Sequence, residues 1–313
     1  MSPDHVLTSV ARAEGEADGL AVSIVVIGYA PASLLLNCVS ALQSQVAGRS
    51  NVEVIVVAPK THQGTALGPI HAVVPEFLWL EAPPAYNVAR MRGLGIARSR
   101  APIIAMIEGD CMPSANWVAR VLEGGAGSAI GGAVEPAAFS RGIDWAAYFC
   151  EFAKFMRPLP TRVHQLPGAN VVYERAVLPE PAHLESEGFY ETFVNASVGG
   201  RHTLAYDADL VVVNHRRWSI RGALRTRFHH GRGYAALRVA NRSLGGRLPF
   251  MATSFVLPWV LSARVMGEIW RRRRFVIRSI IVLPWIVALS VTWSVGELLG
   301  YGAGPGSSLE QWR

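Results

Sequence analysis

The chain has 313 residues, is half hydrophobic and only 17% charged, and carries 30 lysines and arginines against 23 acidic residues. That length holds one α/β domain of about 220–250 residues with an appendage, or two small domains. The net charge of +7 admits nucleic acid, anionic lipid or a phosphorylated ligand as partner, but neither zinc-finger spacing nor an RNA-binding aromatic signature accompanies it, which disfavours nucleic acid. Cys38, Cys111 and Cys150 are odd in number and far apart, so they form no disulfide framework or metal spacing, which suits a reducing compartment.

The first 19 residues lack an apolar stretch behind a positive region, so they read as a disordered leader and not as a signal peptide. Residues 20–27 (LAVSIVVI) form the unbroken apolar run that a strand covered on both faces needs; Gly28 and Pro31 end it. Residues 32–45 predict a helix with Leu35, Cys38, Val39 and Leu42 on one face. Residues 52–57 (VEVIVV) and 77–80 (FLWL) predict the second and third strands, residues 87–98 a helix, and residues 101–107 (APIIAMI) the fourth strand. This alternation predicts a Rossmann-like, mostly parallel sheet with helices on both faces. Ligands of such sheets bind beyond the carboxyl ends of the strands, so chemistry is expected just after Ile27, Val57, Leu80 and Ile107. No GxGxxG follows the first strand and no GxxxxGK[ST] occurs, which excludes a dinucleotide fingerprint and a P-loop.

Beyond Gly131 the signals are mixed: a Gly-Gly pair, a helical pattern over 145–156 and a strand over 210–213. After Arg247 the chain turns apolar, with uncharged runs of 16 residues (248–263) and 17 residues (279–295) on either side of four arginines, 271–274. A bilayer span needs about 20 residues. With both runs across, the arginines would face the side away from the α/β domain, against the positive-inside tendency. The expectation is one span at most, the second run, with the first in the interface or packed on the domain; in-plane insertion of both is the alternative. The expected division is a leader (1–19), an α/β domain (20–245), a membrane-associated helical tail (246–302) and a flexible end (303–313).

The sharpest motif is Glu108-Gly109-Asp110, two carboxylates just past a buried strand. A Mg²⁺ or Mn²⁺ ion held by one or two carboxylates neutralises the charge that develops on a diphosphate leaving group. With its surroundings, this motif makes the chain resemble the membrane-associated bacterial type of family 2 glycosyltransferases, of GT-A fold. VSIVVIGYAPASLLLNCVSALQSQ is similar to the family's first strand and helix, and NVARMRGLGIARSRAPIIAMIEGDCMPSANWVARVL to the segment leading through its DXD motif. AIGGAVEP, LPGANVVYERAVL and GFYETFVN…GGRHTLAYDADLVVVNH follow in family order, and LPWIVALSVTWSVGELLGY resembles the membrane-associated ending. The likeness covers roughly residues 20–301.

The resemblance implies metal-dependent, inverting transfer of a sugar from a nucleotide diphosphate-sugar to a lipid-linked or polysaccharide acceptor, at the cytoplasmic face of the cell membrane. It implies Asp110 as the metal-binding carboxylate, with Glu108 as its partner nearer the ribose. Glu191 is implied as the base that deprotonates the acceptor, with Glu187 in reserve, and His215 as a contributor to metal or diphosphate binding. Gly168, Ala169 and Asn170 match an acceptor-side turn that either presents backbone N–H groups or merely makes the corner. Arg227 and Arg232, from nine arginines between 216 and 247, are expected on the diphosphate, and Arg90 joins the donor-binding set.

Two departures stand out. Ala58-Pro59-Lys60 replaces the family's aspartate after the second strand, with Glu81 as the substitute, and Glu191-Thr192 replaces a Glu-Asp pair. They favour a second reading, an inactive glycosyltransferase-fold subunit that binds or assembles in a cell-surface glycan pathway. A nucleotidyltransferase would need a glycine-rich, basic loop after the first strand, which is missing, and without QxxRW a processive synthase is not expected.

Overall fold

A computed structural model describes residues 19–59, 61–62, 65–66, 68–124 and 127–311; all but the last residue of the leader expected over 1–19, and Lys60, lie outside them. The chain runs β1 (Val22–Ile27), α1 (Ala32–Val46), β2 (Val52–Pro59), a small pair β3 (Thr61–His62) and β4 (Thr65–Ala66), α2 (Gly68–His71) and β5 (Leu78–Ala82). It continues through α3 (Val88–Arg98), β6 (Ile103–Glu108), β7 (Cys111–Pro113), α4 (Trp117–Glu123), β8 (Ala129–Pro136), α5 (Gly142–Phe152) and β9 (Asn170–Glu174). The rest is α6 (Pro181–Glu187), α7 (Glu191–Gly199), β10 (Leu204–Asn214), α8 (Ile220–Arg238), α9 (Leu244–Thr253), α10 (Leu257–Arg272), α11 (Val276–Ile281) and α12 (Leu283–Ala303).

Eight strands form one sheet in the order β5-β2-β1-β6-β9-β8-β10-β7. The first four run parallel, β9 lies antiparallel between β6 and β8, β10 is parallel to β8, and β7 is antiparallel to β10. All six residues of β1 are buried, because successive side chains point to opposite faces and both faces are covered. Ile24 and Val26 pack with Leu35, Cys38, Val39 and Leu42 of α1; Val25 and Ile27 pack with Met91 of α3, Leu184 of α6 and Val198 of α7. The mostly parallel α/β architecture with helices on both faces is as the sequence predicts.

The expected fragments differ where polar residues interrupt the pattern. β10 has eleven residues and not four, with an irregularity between Asp207 and Val211 that absorbs the exposed middle of the strand. The Gly131-Gly132 pair lies within β8 and makes no turn: a Cβ on Gly132 would sit 2.2 Å from both Leu210 O and Asn170 Nδ2.

The apolar tail packs against the domain. Helix α12 runs alongside α8 at backbone contact, since a Cβ on Gly231, Gly296 or Gly300 would come within 2.3 Å of the carbonyl oxygens of Trp293, Phe228 or Arg232. It buries Ile286, Leu289, Ser294, Glu297 and Tyr301 and leaves Val291, Val295 and Leu299 exposed. Helix α12 is long and apolar enough to cross a membrane, as is the pair α9 and α10 taken together, but that pair is bent by 56° just ahead of Pro258. Of the arginine run, Arg272 donates to the carbonyls of Lys154 and Met156 and Arg274 pairs with Glu135 at 2.8 Å. Those two arginines tie the tail to the α/β domain, a use of the run that its place between two apolar segments did not suggest.

Candidate active site

The site forms where β1 and β6 end side by side. Gly109 N–H donates to Ile27 O at 2.9 Å, and His215 N–H donates to Asp110 O at 2.8 Å, so the Glu108-Gly109-Asp110 corner is pinned between β1 and the end of β10. Asp110 is 3% exposed. Its Oδ1 lies 3.4 Å from Asn214 Nδ2 and its Oδ2 3.4 Å from Arg216 Nη1, long for N–H···O bonds. The Arg216 guanidinium in turn lies over the Trp218 ring, 4.1 Å from its centroid.

Glu108 is held differently. Arg92 of α3, itself 4% exposed, donates one Nη to Glu108 at 2.5 Å and the other to Glu191, the first residue of α7. A carboxylate there also gains from the positive end of the helix dipole. Gly168 makes the room, since a Cβ on it would lie 2.6 Å from Arg92 Nη2.

A cavity of about 500 Å³ opens over these groups and is lined by Glu108, Asp110, Glu151 and Glu191. Arg92, Lys154, Arg216, Arg227, Arg238 and Arg264 supply its cations. Glu151 faces the cavity without a side-chain hydrogen bond or ion pair among the described residues, and desolvation raises its carboxyl to about 7, with Glu108 adding to the rise. Desolvation lowers the neighbouring Lys154 ammonium, against the pull of Glu191. A second cavity, about 640 Å³, shares Tyr29, Arg216, Trp218 and Thr226 with the first and reaches Pro59, Glu81 and Tyr86 at the ends of β2 and β5.

The structure thus brings together Glu108, Asp110, Glu191 and Arg227, with Thr192 also on the wall, and sets Glu81 in the adjoining cavity. It does not bring the rest. Arg232 donates to Gly304 O at 2.9 Å and lines neither cavity, so the expectation that it contacts a diphosphate is corrected. Arg90 lies over the Tyr86 ring, 5.7 Å from its centroid, and Glu187 is exposed at the end of α6. His215 adjoins Asp110 through the main chain, and its imidazole, lowered by burial against the pull of Asp110, lines neither cavity. Gly168 and Ala169 border a smaller recess beside Glu108 and Glu191. Asn170 is fully buried, accepting from Trp117 Nε1 and donating to Ala133 O and Leu210 O. Ala58 is buried, in line with its departure from the expected aspartate.

Arg92, Glu151 and Lys154 are the site residues that the sequence reading missed. Their signal is a charge on an otherwise apolar helix stretch: Arg92 follows Val88 and Met91 on the buried stripe of α3, and Glu151 and Lys154 interrupt the aromatic run FCEFAKF.

Among the described residues no three His, Cys, Asp or Glu side chains come together as metal ligands, so the expected set of Asp110, Glu108 and His215 is not assembled. Asp110 alone still fits a hard cation. Its oxygens keep unsatisfied lone pairs, and Mg²⁺ is commonly held by one or two carboxylates plus substrate phosphates. Glu108 is already taken by Arg92.

No family model matches the sequence, and no curated protein is significantly similar to it. Solved structures are similar to it in fold. The mannosyltransferase PcManGT from Pyrobaculum calidifontis, in complex with GDP-Man and Mn²⁺, superimposes with a TM-score of 0.54 at 16% identity, covering 88% of this chain and 86% of that one. The fold is that of a glycosyltransferase. S. aureus TarS 1-349 (TM-score 0.45, 10% identity, 85% and 70% covered) and a mycobacterial protein (0.47, 14%, 71% and 74%) superimpose too loosely to bear on this chain.

Proposed function

We propose that this chain is a family 2 glycosyltransferase of inverting type, which moves a sugar from a nucleotide diphosphate-sugar to an acceptor presented at a membrane surface. The observation that carries the reading is the meeting of Glu108, Asp110 and Glu191 on one cavity at the carboxyl ends of β1 and β6. Asp110 would hold a Mg²⁺ or Mn²⁺ ion, which would supply positive charge for a diphosphate leaving group. Arg216, beside Asp110, supplies further positive charge to the same group. The nucleoside lies in the adjoining cavity, where Glu81 stands in for the aspartate that Ala58 lacks.

Glu191 accepts the proton of the acceptor hydroxyl, a contribution typically worth about 10² to 10⁴ in rate. Arg92 fixes its position. The cavity beside Asp110 is open, which favours an enzyme over a binding subunit in spite of Ala58 and Thr192.

The test is turnover. The purified chain is given Mn²⁺ or Mg²⁺, a panel of sugar nucleotides and membrane lipid extract, and release of nucleoside diphosphate is read. Release from one donor, abolished in Asp110→Ala and in Glu191→Gln, is the expected result; no release from any donor contradicts the reading.

A further inference from the structure

Glu191 takes up a proton in the proposed reaction, and its surroundings work against keeping it. Its carboxylate and that of Glu108 are the two partners of Arg92, whose side chain is 4% exposed. A proton on Glu191 removes one of those two counter-charges, and an uncompensated buried charge is costly. Thr192, the next residue on the cavity wall, offers a hydroxyl and no charge to take the proton over.

A second carboxyl shares the space beside Glu191. The recess next to the main cavity, of about 70 Å³, is lined by Glu108, Glu151, Lys154, Gln165 and Glu191 among others, and Glu151 lines the main cavity as well. Local structure places it there. Phe149 and Phe152 near the end of α5, and Phe155 in the 3₁₀ turn that follows, are buried three residues apart. They hold this stretch to the core and leave Glu151 and Lys154, also three apart, at the opening. The recess is polar and roomy enough for water to bridge the two carboxyls.

Glu151 differs from the other cavity carboxylates in having no hydrogen bond or ion pair among the described residues, so a proton on it breaks no contact. The charged and titratable groups on the walls around it come from every side. They are Lys154 on its own stretch, Glu108 and Asp110 at the end of β6, Arg92 of α3 and Glu191 of α7. Arg216 follows β10, Arg227, His230, Tyr234 and Arg238 belong to α8, Arg264 to α10 and Glu297 to α12. Desolvation and then Glu108 raise the Glu151 carboxyl to about 7, while Arg216 and Arg227 act against the rise. A group balanced near neutral pH both takes and gives a proton readily.

We propose that Glu151 receives, through water in the recess, the proton that Glu191 takes from the acceptor hydroxyl, and releases it to solvent at the cavity mouth. The proposal deepens the transferase reading and rests on it. As the acceptor oxygen attacks the anomeric carbon and the bond to the diphosphate breaks, the hydroxyl proton goes to Glu191. It then passes to Glu151 and out, and both carboxylates end the cycle ionised.

The test uses the full chain with Mn²⁺, GDP-mannose or UDP-N-acetylglucosamine, and membrane lipid extract. Glu151 must be ionised to receive the proton, so kcat is expected to rise with pH through about 7. Glu151→Gln is expected to lose that rise and about 10²-fold in kcat at pH 8, the low end of what positioned proton transfer contributes. Its nucleoside diphosphate affinity is expected to be unchanged, and formate is expected to restore turnover to Glu151→Ala. An unchanged rate and pH profile in Glu151→Gln overturns the proposal, as does a loss that formate leaves unrelieved. Infrared titration of the carboxyl groups, which needs no turnover, separates the two readings. Glu191→Gln is expected to shift the band that Glu151→Gln removes, because the two carboxyls share water. That shift without turnover in the wild type sinks the transferase reading alone; turnover without the shift sinks the proton transfer alone; absence of both sinks both.

Discussion

Arg92 and Glu191, 99 residues apart in sequence, meet as an ion pair whose guanidinium is 4% exposed and whose carboxylate is 36% exposed. The same guanidinium holds Glu108, so one side chain of α3 sets the spacing between the end of β6 and the start of α7. Removing a buried partner leaves uncompensated charge, at a cost of about 3–5 kcal/mol. Arg92→Ala is expected to lose that much stability in urea unfolding, whereas Glu191→Gln, at the more solvated end, loses about 1 kcal/mol or less. Arg92→Lys restores the charge without the two-pronged fork and falls between them.

The contact of α12 with α8 gives a second expectation. Gly296→Ala places a methyl 2.3 Å from the Phe228 carbonyl oxygen, so the two helix backbones must separate, at about 1–3 kcal/mol for overpacking. Gly245→Ala in α9 meets nothing within 4 Å and is neutral or slightly stabilising, as alanine is the better helix former. Thermal denaturation of the two variants compares them directly, and equal melting temperatures would show that α12 does not pack against α8.

Asn170 joins three elements through its side chain, with Trp117 of α4, Ala133 of β8 and Leu210 of β10 as partners. Each buried group left unsatisfied costs about 1–3 kcal/mol. Asn170→Ala is therefore expected to lower stability by at least about 3 kcal/mol in guanidinium titration. A loss under about 1 kcal/mol would mean that the residue only shapes the corner.

The half of the fold with a strict pattern was legible before the structure. In α1 the buried residues are Leu35, Cys38, Val39 and Leu42, the stripe that helical periodicity selects, and the doubly covered β1 follows from its unbroken apolar run. The second half was not, because β8 carries two glycines, β10 an exposed middle, and β9 lies antiparallel in an otherwise parallel region. Within the site, Glu108 and Asp110 were legible because they follow a recognisable strand. Arg92 was not, since sequence spacing does not reveal that α3 turns it toward α7. Arg232 misled for the converse reason: its neighbour Arg227 faces the cavity, while five residues on, Arg232 reaches Gly304 O.

Glu151 predicts a pH dependence of stability. Its folded carboxyl stands at about 7, raised from 4.5 by desolvation at the cavity wall and by Glu108, so between those values the folded state holds a proton that the unfolded state has lost. Stability from this group is complete below about pH 4.5 and lost as the pH rises through about 7. Glu151→Gln is expected to be more stable than the wild type at pH 8, with the gap closing by pH 4.5 in metal-free thermal scans. A gap that is constant with pH would place Glu151 in ordinary solvent.

Asp110 is proposed to mark a metal-dependent site for a sugar nucleotide. Calorimetric titration of the purified chain with nucleoside diphosphates, with Mn²⁺ and then with chelator, tests it most directly. One nucleoside diphosphate is expected to bind with Mn²⁺, chelator to abolish the binding, and Asp110→Asn to weaken it at least about tenfold, the loss of a charged contact. Binding that is unchanged by chelator and by Asp110→Asn, or no binding of any nucleoside diphosphate, would contradict that proposal.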